Sequence, residues 1–290
     1  MLSAIKYQEN IKSRIKSGLS QTIKYLVLCF GTFLSLLPLV TVLFASFKSE
    51  KEYAISSVLA APAHWTNFQN YLVAWTRARM SLAFYNTTII LVFTLLGSVL
   101  TGSMIAYVLS RFDFKGHNLL KNAFLVANLI PSVTMQVSIY KIMNSLHLVN
   151  SLLGVIMLYT GTDIIAIYIF LQFFDSLPRS LDEAAFLDGA NYFTIFFRIL
   201  FPLIKPAIVT VAILKGVTVY KEYYIANLYL QSKTRLVTIS TSLYTFTGEY
   251  GNQYNYICAG VMITIIPLLI VFLFLQKYIY NGIAKGAVKE

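Results

Sequence analysis

The side chains most often used for catalysis or metal binding are sparse in this chain and lack the spacing that those uses require. No HExxH zinc motif and no Ser-His-Asp set includes any of its three histidines, His64, His117 and His147. The sequence also contains no GxxxxGK[ST] phosphate loop, so the chain is not expected to bind ATP in that manner. We therefore predict no catalytic residue, no metal site and no enzymatic activity within this chain.

A different kind of chemistry is concentrated between Leu181 and Pro206, a polar and small-residue segment set between strongly apolar runs. Asp182 and Glu183 place negative charge in the first turn of a predicted short helix, where free backbone N–H groups favour it. Small residues follow, and Gly189 removes a side chain altogether. The prolines at the end of the segment restrict the backbone and delay the next long helix until about its last residue. This pattern predicts a docking element for another protein surface.

The elements that must hold this segment are apolar enough to cross a membrane. Apolar residues make up 57% of the chain and charged residues 12%, which is far from the usage of a soluble domain. The sequence therefore predicts an all-α membrane protein in contact with lipid. Six runs approach or exceed the roughly 20 residues that a helix needs to cross the hydrocarbon layer. The predicted spans are 25–47, 82–109, 119–140, 152–174, 207–230 and 256–278.

The basic residues indicate how these spans are oriented. The net charge of +11 is compatible with nucleic acid, but lysine and arginine at span ends more often fix orientation in a membrane, so we predict no nucleic-acid partner. With a cytoplasmic amino terminus, about twice as many basic residues lie inside as outside.

The first run is too long for a signal peptide and lacks a convincing cleavage site. We predict a cytoplasmic segment at 1–24, a transmembrane domain at 25–280 with a cytoplasmic loop at 175–206, and a cytoplasmic tail at 281–290.

The docking segment resembles the EAA loop of ABC importer membrane subunits. The matching positions are Glu183, Ala184, Ala185, Gly189, Ile199 and Pro202. Phe201 stands where leucine is usual in that family, a change between two large apolar residues. The resemblance implies a short coupling helix that sits in a cleft of the ATP-hydrolysing subunit. The alternative is an amphipathic loop that only links two spans. The coupling residues that the resemblance implies are Glu183, Ala184, Ala185, Asp188, Gly189 and Pro202.

Other stretches resemble the carbohydrate-importing branch of that family, in particular the smaller membrane subunit of maltose-type importers. They are Ala106-Tyr107, Ser110-Arg111-Phe112, Phe114-Lys115-Gly116, Ile130-Pro131 and the tail Gly282 to Lys289. The resemblance implies a bacterial plasma (inner) membrane location and a second, different permease subunit. It also implies two ATPase subunits that hold ATP and Mg, and an extracellular sugar-binding protein. No cofactor is expected in this chain.

Several polar residues in or near the spans are candidates for a solute path. Amides can bond the hydroxyl groups of a sugar, and tyrosines can stack on its ring; the alternative is that these side chains bridge neighbouring helices. The candidates are Asn128, Gln136, Tyr107, Tyr220, Glu222 and Asn227. Lys215 and Glu222 are seven residues apart, which places them on nearly one helical face. For Asp163 we favour a hydrogen bond to a neighbouring helix over contact with substrate.

The sequence thus predicts a permease subunit of an ATP-driven importer of carbohydrate, specifically an oligosaccharide. An importer of glycerol-phosphate or another polar solute is the alternative; a strongly basic external route would favour a phosphate ester, and Arg77 with Arg79 is too little positive charge to decide. An ion-coupled secondary transporter would instead favour repeated intramembrane carboxylates or broken helices at the membrane midplane. A membrane scaffold without transport is the least favoured class.

Overall fold

The computed structural model describes residues 2–161, 163–248 and 251–287, with side-chain positions for residues 20–131, 133–161, 163–248 and 251–276. The predicted amino-terminal segment and carboxy-terminal tail extend beyond the described residues, by Met1 and by residues 288–290 respectively. The side chains of the basic residues before position 20 and after position 276 also lie outside that description.

Most of the described chain is helical, in agreement with the predicted all-α fold. Within the described residues the α-helices are α1 Leu2–Phe47, α2 Glu50–Ile55, α3 Gln69–Arg77, α4 Met80–Arg111, α5 His117–Leu129, α6 Gln136–Ser145, α7 Leu152–Thr160, α8 Ile164–Ser176, α9 Ser180–Leu187, α10 Tyr192–Thr194, α11 Phe201–Leu203, α12 Lys205–Lys221, α13 Tyr224–Tyr229, α14 Ile239–Ser242 and α15 Tyr254–Ala287. A π-helix covers Ile195–Leu200, and 3₁₀ turns cover Ser132–Met135 and Leu243–Phe246. Two short strands, β1 Thr247–Gly248 and β2 Gly251–Asn252, pair antiparallel.

Six membrane crossings are present if each bent pair of helices counts as one. Among the described residues, three helices are long and apolar enough alone: Ser20–Phe47 in α1, Met80–Arg111 and Tyr254–Gln276 in α15. The other three crossings are bent pairs. The bends are 89° between α5 and α6, 45° between α7 and α8, and 74° between the stretch Tyr192–Leu203 and α12.

The predicted span 119–140 is interrupted in the structure. The helix α5 ends at Leu129, and Ile130 has extended backbone angles, φ −77° and ψ 120°. Pro131 follows directly, and proline disfavours the α conformation in the residue before it. The chain therefore turns at this proline before α6 begins.

The predicted spans 152–174 and 207–230 are also interrupted. The first breaks between Thr160 and Ile164, and the second between Lys221 and Tyr224. In both breaks an acidic side chain caps the helix that follows. Asp163 Oδ1 accepts from the Ala166 N–H at 3.2 Å, and Glu222 accepts from two backbone N–H groups of α13. These carboxylates supply acceptors that free backbone donors need at a helix start.

The backbone forms two compact units, residues 1–74 with 246–263 and residues 75–245 with 264–290. In the first unit the loop after α1 is held by buried polar groups. Asn70 is 3% exposed and donates to the carbonyl oxygens of Ser46 and Lys48, each at 2.8 Å. The buried ammonium of Lys48 donates to Ser56 Oγ and to the Ser57 carbonyl, each at 2.9 Å.

In the second unit α4 is the central helix and packs against α7, α8 and α12. Small residues on α4 allow this close approach. A Cβ added at Gly102 would lie 3.5 Å from the ring of Phe170, which is fully buried together with Phe174. A Cβ added at Gly97 would lie only 2.4 Å from Thr160 Cγ2. Membrane helices associate through such close packing, because lipid offers little hydrophobic driving force.

The described parts of α1 and α15 leave apolar side chains exposed. Leu28, Phe30 and Phe33 of α1 are 62%, 63% and 61% exposed, and Leu273 and Phe274 of α15 are 61% and 73% exposed. Such continuous apolar surface indicates a lipid-facing or subunit-facing helix.

Candidate functional site

The docking segment begins with the short helix predicted from the sequence, now seen as α9. Asp182 and Glu183 lie in its first turn. The helix ends at Gly189, whose φ of +78° is a left-handed conformation that favours glycine. The Gly189 N–H donates to the Phe186 carbonyl at 3.0 Å and the Ala190 N–H to the Ala185 carbonyl at 2.9 Å. These two bonds form a Schellman motif, so Gly189 is required for the way the helix terminates.

The exposed side of α9 has a defined composition. Glu183, Ala184, Leu187 and Asp188 are all exposed and share one side of the helix, since residues four apart lie above one another. We call these four residues the docking face. Leu187 is 90% exposed, so a large apolar side chain on this face is available for contact with a partner. Ala185, predicted as a coupling residue, lies on the opposite, buried side of α9 at 6% exposure.

An ion pair fixes the buried side of α9 to the end of α4. Arg111 Nε lies 3.1 Å from Asp182 Oδ2, with the two side chains only 7% and 12% exposed. The approach lacks the alignment of a hydrogen bond, so the contact is one of opposite charges. Arg111 Nη2 also donates to the Leu177 carbonyl at 3.1 Å. The last residue of α4 therefore holds both the start of α9 and the connection that precedes it.

A second set of bonds holds the same corner. Ser110 Oγ donates to Asp175 Oδ1 at 2.6 Å, and Arg179 Nη2 donates to the Ser110 carbonyl at 3.3 Å. Ser110 thus connects the last turn of α4 with the end of α8 and with the residue before α9. A displacement of α9 would be opposed by charged contacts on either side of it.

Aromatic packing extends from this corner into the core. The ring of Tyr107 lies 5.6, 5.9 and 5.3 Å from the rings of Phe112, Phe174 and Phe196. Phe196 belongs to the π-helix, an irregularity that often occurs at functional sites. Tyr107 was a candidate for stacking on a sugar, but it is 6% exposed among these rings. This position favours packing between α4, α8 and the docking segment.

The other candidates for the solute path are dispersed. Gln136 is 9% exposed, and its Oε1 accepts from the Tyr229 hydroxyl at 3.3 Å. The Tyr220 hydroxyl donates to the Thr264 carbonyl at 2.8 Å. Glu222 Oε2 accepts from the Tyr159 hydroxyl at 2.6 Å. These three side chains therefore join neighbouring elements.

The two remaining candidates are exposed amides. Asn128 is exposed near the end of α5, and Asn227 is exposed in α13, where its Oδ1 accepts from Lys233 Nζ at 2.7 Å. The structure does not gather the six candidates into one site.

The structure does bring together Lys215 and Asp163, a pair that the sequence did not predict. Lys215 Nζ lies 3.0 Å from Asp163 Oδ2, across the interface of α12 with the break between α7 and α8. The predicted contact of Asp163 with a neighbouring helix is thus present, whereas Lys215 lies against Asp163 rather than being paired with Glu222. Two opposite charges in separate apolar runs were the available signal, because such charges usually pair with one another.

Residues 98–285 match the family described as binding-protein-dependent transport system inner membrane component. The chain belongs to this family. It is a transport component of a membrane, which confirms the resemblance to ABC importer permeases noted from the sequence.

Relatives of this permease match along most of their length. The arabinooligosaccharides transport system permease protein AraQ of Bacillus subtilis is 32% identical over 88% of this chain and 91% of its own. The melibiose/raffinose/stachyose import permease protein MelC of the same organism is 31% identical over 87% of this chain and 91% of its own. The diacetylchitobiose uptake system permease protein NgcG of Streptomyces coelicolor is 30% identical over 92% of this chain and 88% of its own.

A solved structure supports the fold of the permease. It is the crystal structure of a bacterial ABC transporter involved in the import of the acidic polysaccharide alginate. The match has a TM-score of 0.79 and covers 90% of this chain and 96% of the other, at 20% sequence identity. The predicted all-α permease fold is therefore confirmed.

Sequence reasoning missed two contributors to the docking segment of this permease. Arg111 was noted as part of a resembling motif, and its contact with Asp182 was not predicted, although its position at the end of a predicted span was a usable signal. Leu187 was not considered, although it follows Glu183 by four residues and so shares its side of the helix.

Proposed function

We propose that this permease is the membrane-spanning subunit of an ATP-driven importer of carbohydrate, and that its solute is an oligosaccharide. The observation that supports ATP coupling is the docking face of α9, an exposed surface on a helix that is itself firmly attached to α4. The choice of carbohydrate is supported by relatives that carry oligosaccharides in their names and match this chain over most of its length.

The proposed coupling follows from the contacts of α9. Closure of a partner ATPase would displace the docking face, where Glu183 and Asp188 make polar contacts and Ala184 permits a close fit. Because Asp182 is held by Arg111, the displacement would be passed to α4 and from there to α7, α8 and α12. Three other residues would act by shaping the segment. Ala185 would form the buried side of α9, Gly189 would set the end of that helix, and Pro202 would set the later turn.

The proposed assembly contains a second, different permease subunit, two ATPase subunits that bind ATP and Mg, and an extracellular sugar-binding protein. The family description, which refers to binding-protein dependence, supports the last of these. We place the amino terminus in the cytoplasm, because this orientation puts the docking face and most basic residues on the cytoplasmic side. Neither ATP nor another cofactor would bind this chain, and no nucleic acid would be a partner.

For the solute path we propose that the exposed amides of Asn128 and Asn227 contact the sugar. Gln136, Tyr220 and Glu222 would shape the path through the elements that they join. Tyr107 would act indirectly, through the packing of α4 against the docking segment.

The docking face can be tested by recovery of the ATPase. The permease is co-expressed with its partner permease and candidate ATPase, solubilised gently and purified, and the ATPase that accompanies it is measured. Gly189→Trp should reduce this recovery at an unchanged membrane level, because a large side chain and a left-handed backbone are incompatible at the end of α9.

Gly116→Trp is a matched control. Gly116 also has a left-handed backbone, with φ +94°, and an added Cβ meets no atom within 4 Å, as at Gly189. It lies in the turn before α5, outside the docking segment. Equal losses from both variants, or failure of the inserted wild-type permease to recruit any ATPase, would contradict the proposed coupling.

A further inference from the structure

The ion pair of Asp163 and Lys215 lies deep in its helices. Lys215 is ten residues from the start of α12 and six from its end, or roughly 15 Å and 9 Å along the axis. Asp163 lies in the break between the apolar helices α7 and α8. Neither residue is at the end of a crossing, where a long charged side chain can reach the headgroups.

The geometry leaves hydrogen-bonding capacity at this position. One carboxylate oxygen of Asp163 caps α8 and the other faces Lys215 Nζ at 3.0 Å. An ammonium has three donors, and each carboxylate oxygen can accept more than one bond. The two side chains are 17% and 15% exposed, so they are shielded from bulk solvent yet still reachable.

Cavities border the pair on two sides. The larger has a volume of about 470 Å³, within the range of small-molecule sites. Its lining residues are Phe93, Gly97, Thr101, Gly102, Ile105, Ile156, Met157, Thr160, Gly161, Asp163 and Ile167. A smaller cavity of about 130 Å³ is lined by Lys215 as well as by Asp163. Asp163 therefore lines both cavities.

The backbone of the break also fits a position beside a cavity. Irregular backbone within a membrane is tolerated mainly where it lines a cavity or is buried in protein. Thr160, Gly161 and Asp163 all line the larger cavity. The break therefore borders a space of the size that a bound solute would use, with the Asp163 carboxylate as its charged group.

We propose that the larger cavity is a contact site for an uncharged, polyhydroxylated solute, with Asp163 accepting from solute hydroxyls and Lys215, on the side of the smaller cavity, holding that carboxylate in place. The pair has no net charge, so it favours a neutral molecule over an anion. A hydroxyl group can donate to a carboxylate, whose oxygens each accept more than one bond. The apolar lining from Phe93, Ile105 and Met157 suits the C–H faces of a sugar ring. This inference rests on the proposed carbohydrate importer and assigns it a contact site in this subunit.

The test uses the complete transporter in membrane vesicles, with its partner permease, its ATPase subunits and its sugar-binding protein all supplied. The probe is a mixture of tri- and tetrasaccharides built from glucose, galactose, arabinose or N-acetylglucosamine, together with glycerol phosphate. Uptake of each component is followed by mass spectrometry, and the apparent KM is determined for every component that enters in an ATP-dependent manner.

The decisive variant removes both charges, Asp163→Asn with Lys215→Met. Replacing a buried ion pair by neutral residues is often neutral for stability, so a purely structural pair should leave transport unchanged. A solute contact predicts instead that the apparent KM rises about tenfold or more, since hydrogen bonds to charged groups are the stronger ones. Membrane level and recovery of partner subunits verify assembly. Thr210→Val is the control, because Thr210 lies on α12 outside both cavities and bonds only its own helix, at the Pro206 carbonyl.

Met157→Trp gives a second measurement that leaves the charges in place and fills the larger cavity. A raised apparent KM or a lost preference for the longer sugars supports the site. Wild-type KM in both variants overturns this inference alone. Entry of glycerol phosphate that is lost in Lys215→Met alone but kept in Asp163→Asn alone, at matched membrane levels, overturns the choice of a neutral ligand. Absence of ATP-dependent uptake of every component by the wild type overturns the proposed function together with this site.

Discussion

Arg111, the last residue of α4, lies 3.1 Å from Asp182 in the first turn of α9, and both side chains are largely buried. The contact joins the central helix of the second unit to the segment that carries the docking face. A helix of eight residues has little stability of its own, so its position depends on such tertiary contacts.

Asp182→Asn should weaken the connection between α9 and α4. The guanidinium would keep its charge in a largely buried position without the neighbouring carboxylate, a change that is strongly destabilising for fully buried pairs. Because some exposure remains, we expect a loss of about 1–2 kcal/mol in the stability of the purified complex. Sugar uptake should fall more than the recovered ATPase.

Asp113→Asn is the control for that experiment, since Asp113 is an exposed carboxylate in the turn that follows α4. It removes the same charge without touching α9. Thermal unfolding and uptake are measured for both variants at matched membrane levels. Unchanged unfolding and uptake in Asp182→Asn would show that the ion pair does not hold the docking segment.

Leu187→Asp should disrupt the docking face without affecting the fold. Leu187 is 90% exposed, so the substitution removes almost no internal packing. If Leu187 enters an apolar part of the ATPase cleft, a carboxylate there would be desolvated without a partner, and ATPase recovery should fall about tenfold or more.

Ser176→Asp serves as the comparison, because it introduces the same charge at the exposed last residue of α8. Recovery of the ATPase is quantified for both variants after gentle solubilisation. A Leu187→Asp variant that retains the ATPase as well as Ser176→Asp does would remove Leu187 from the contact surface.

The sequence predicted the helical elements better than their breaks. The length of an apolar run identifies a crossing, but it does not show where a single residue interrupts the helix. Pro131 ends α5 and redirects the chain by 89° to the next helix, although the sequence had marked it only as part of a motif. The bend near Asp163 has no proline, and depends on a side-chain cap together with the partner on α12.

The features of the candidate site that depend on residues close together in the sequence were predictable. The acidic first turn and the glycine end of α9 follow from residues next to one another in sequence, and both are present. The contacts of Asp182 with Arg111 and of Asp163 with Lys215 join residues about 70 and 50 positions apart. No local pattern specifies which charges meet over such separations. The amides proposed for a solute path were likewise dispersed by the fold.

Gly97→Ala should disturb the packing of α4 against α7. The added Cβ would lie 2.4 Å from Cγ2 and 2.9 Å from Oγ1 of Thr160, closer than atoms can approach without movement. Overpacking of this kind typically costs about 1–3 kcal/mol. The thermal unfolding midpoint of the purified complex should fall accordingly. The double variant Gly97→Ala with Thr160→Ala removes both clashing atoms and should recover most of that loss; no recovery would place the cause elsewhere.

Glu222→Gln should destabilise the break between α12 and α13. Glu222 accepts from the Tyr159 hydroxyl at 2.6 Å and from the backbone N–H groups of Ile225 and Ala226 at 3.0 and 3.1 Å. An amide is uncharged and offers one accepting oxygen in place of two, so all three donors lose their charged partner. Tyr159→Phe removes the hydroxyl alone and should cost less, about 1 kcal/mol. Thermal unfolding of both variants ranks the two contributions. If Glu222→Gln were no more harmful than Tyr159→Phe, the backbone cap would contribute little, and the break would have to be held by the packing of α13 against α7.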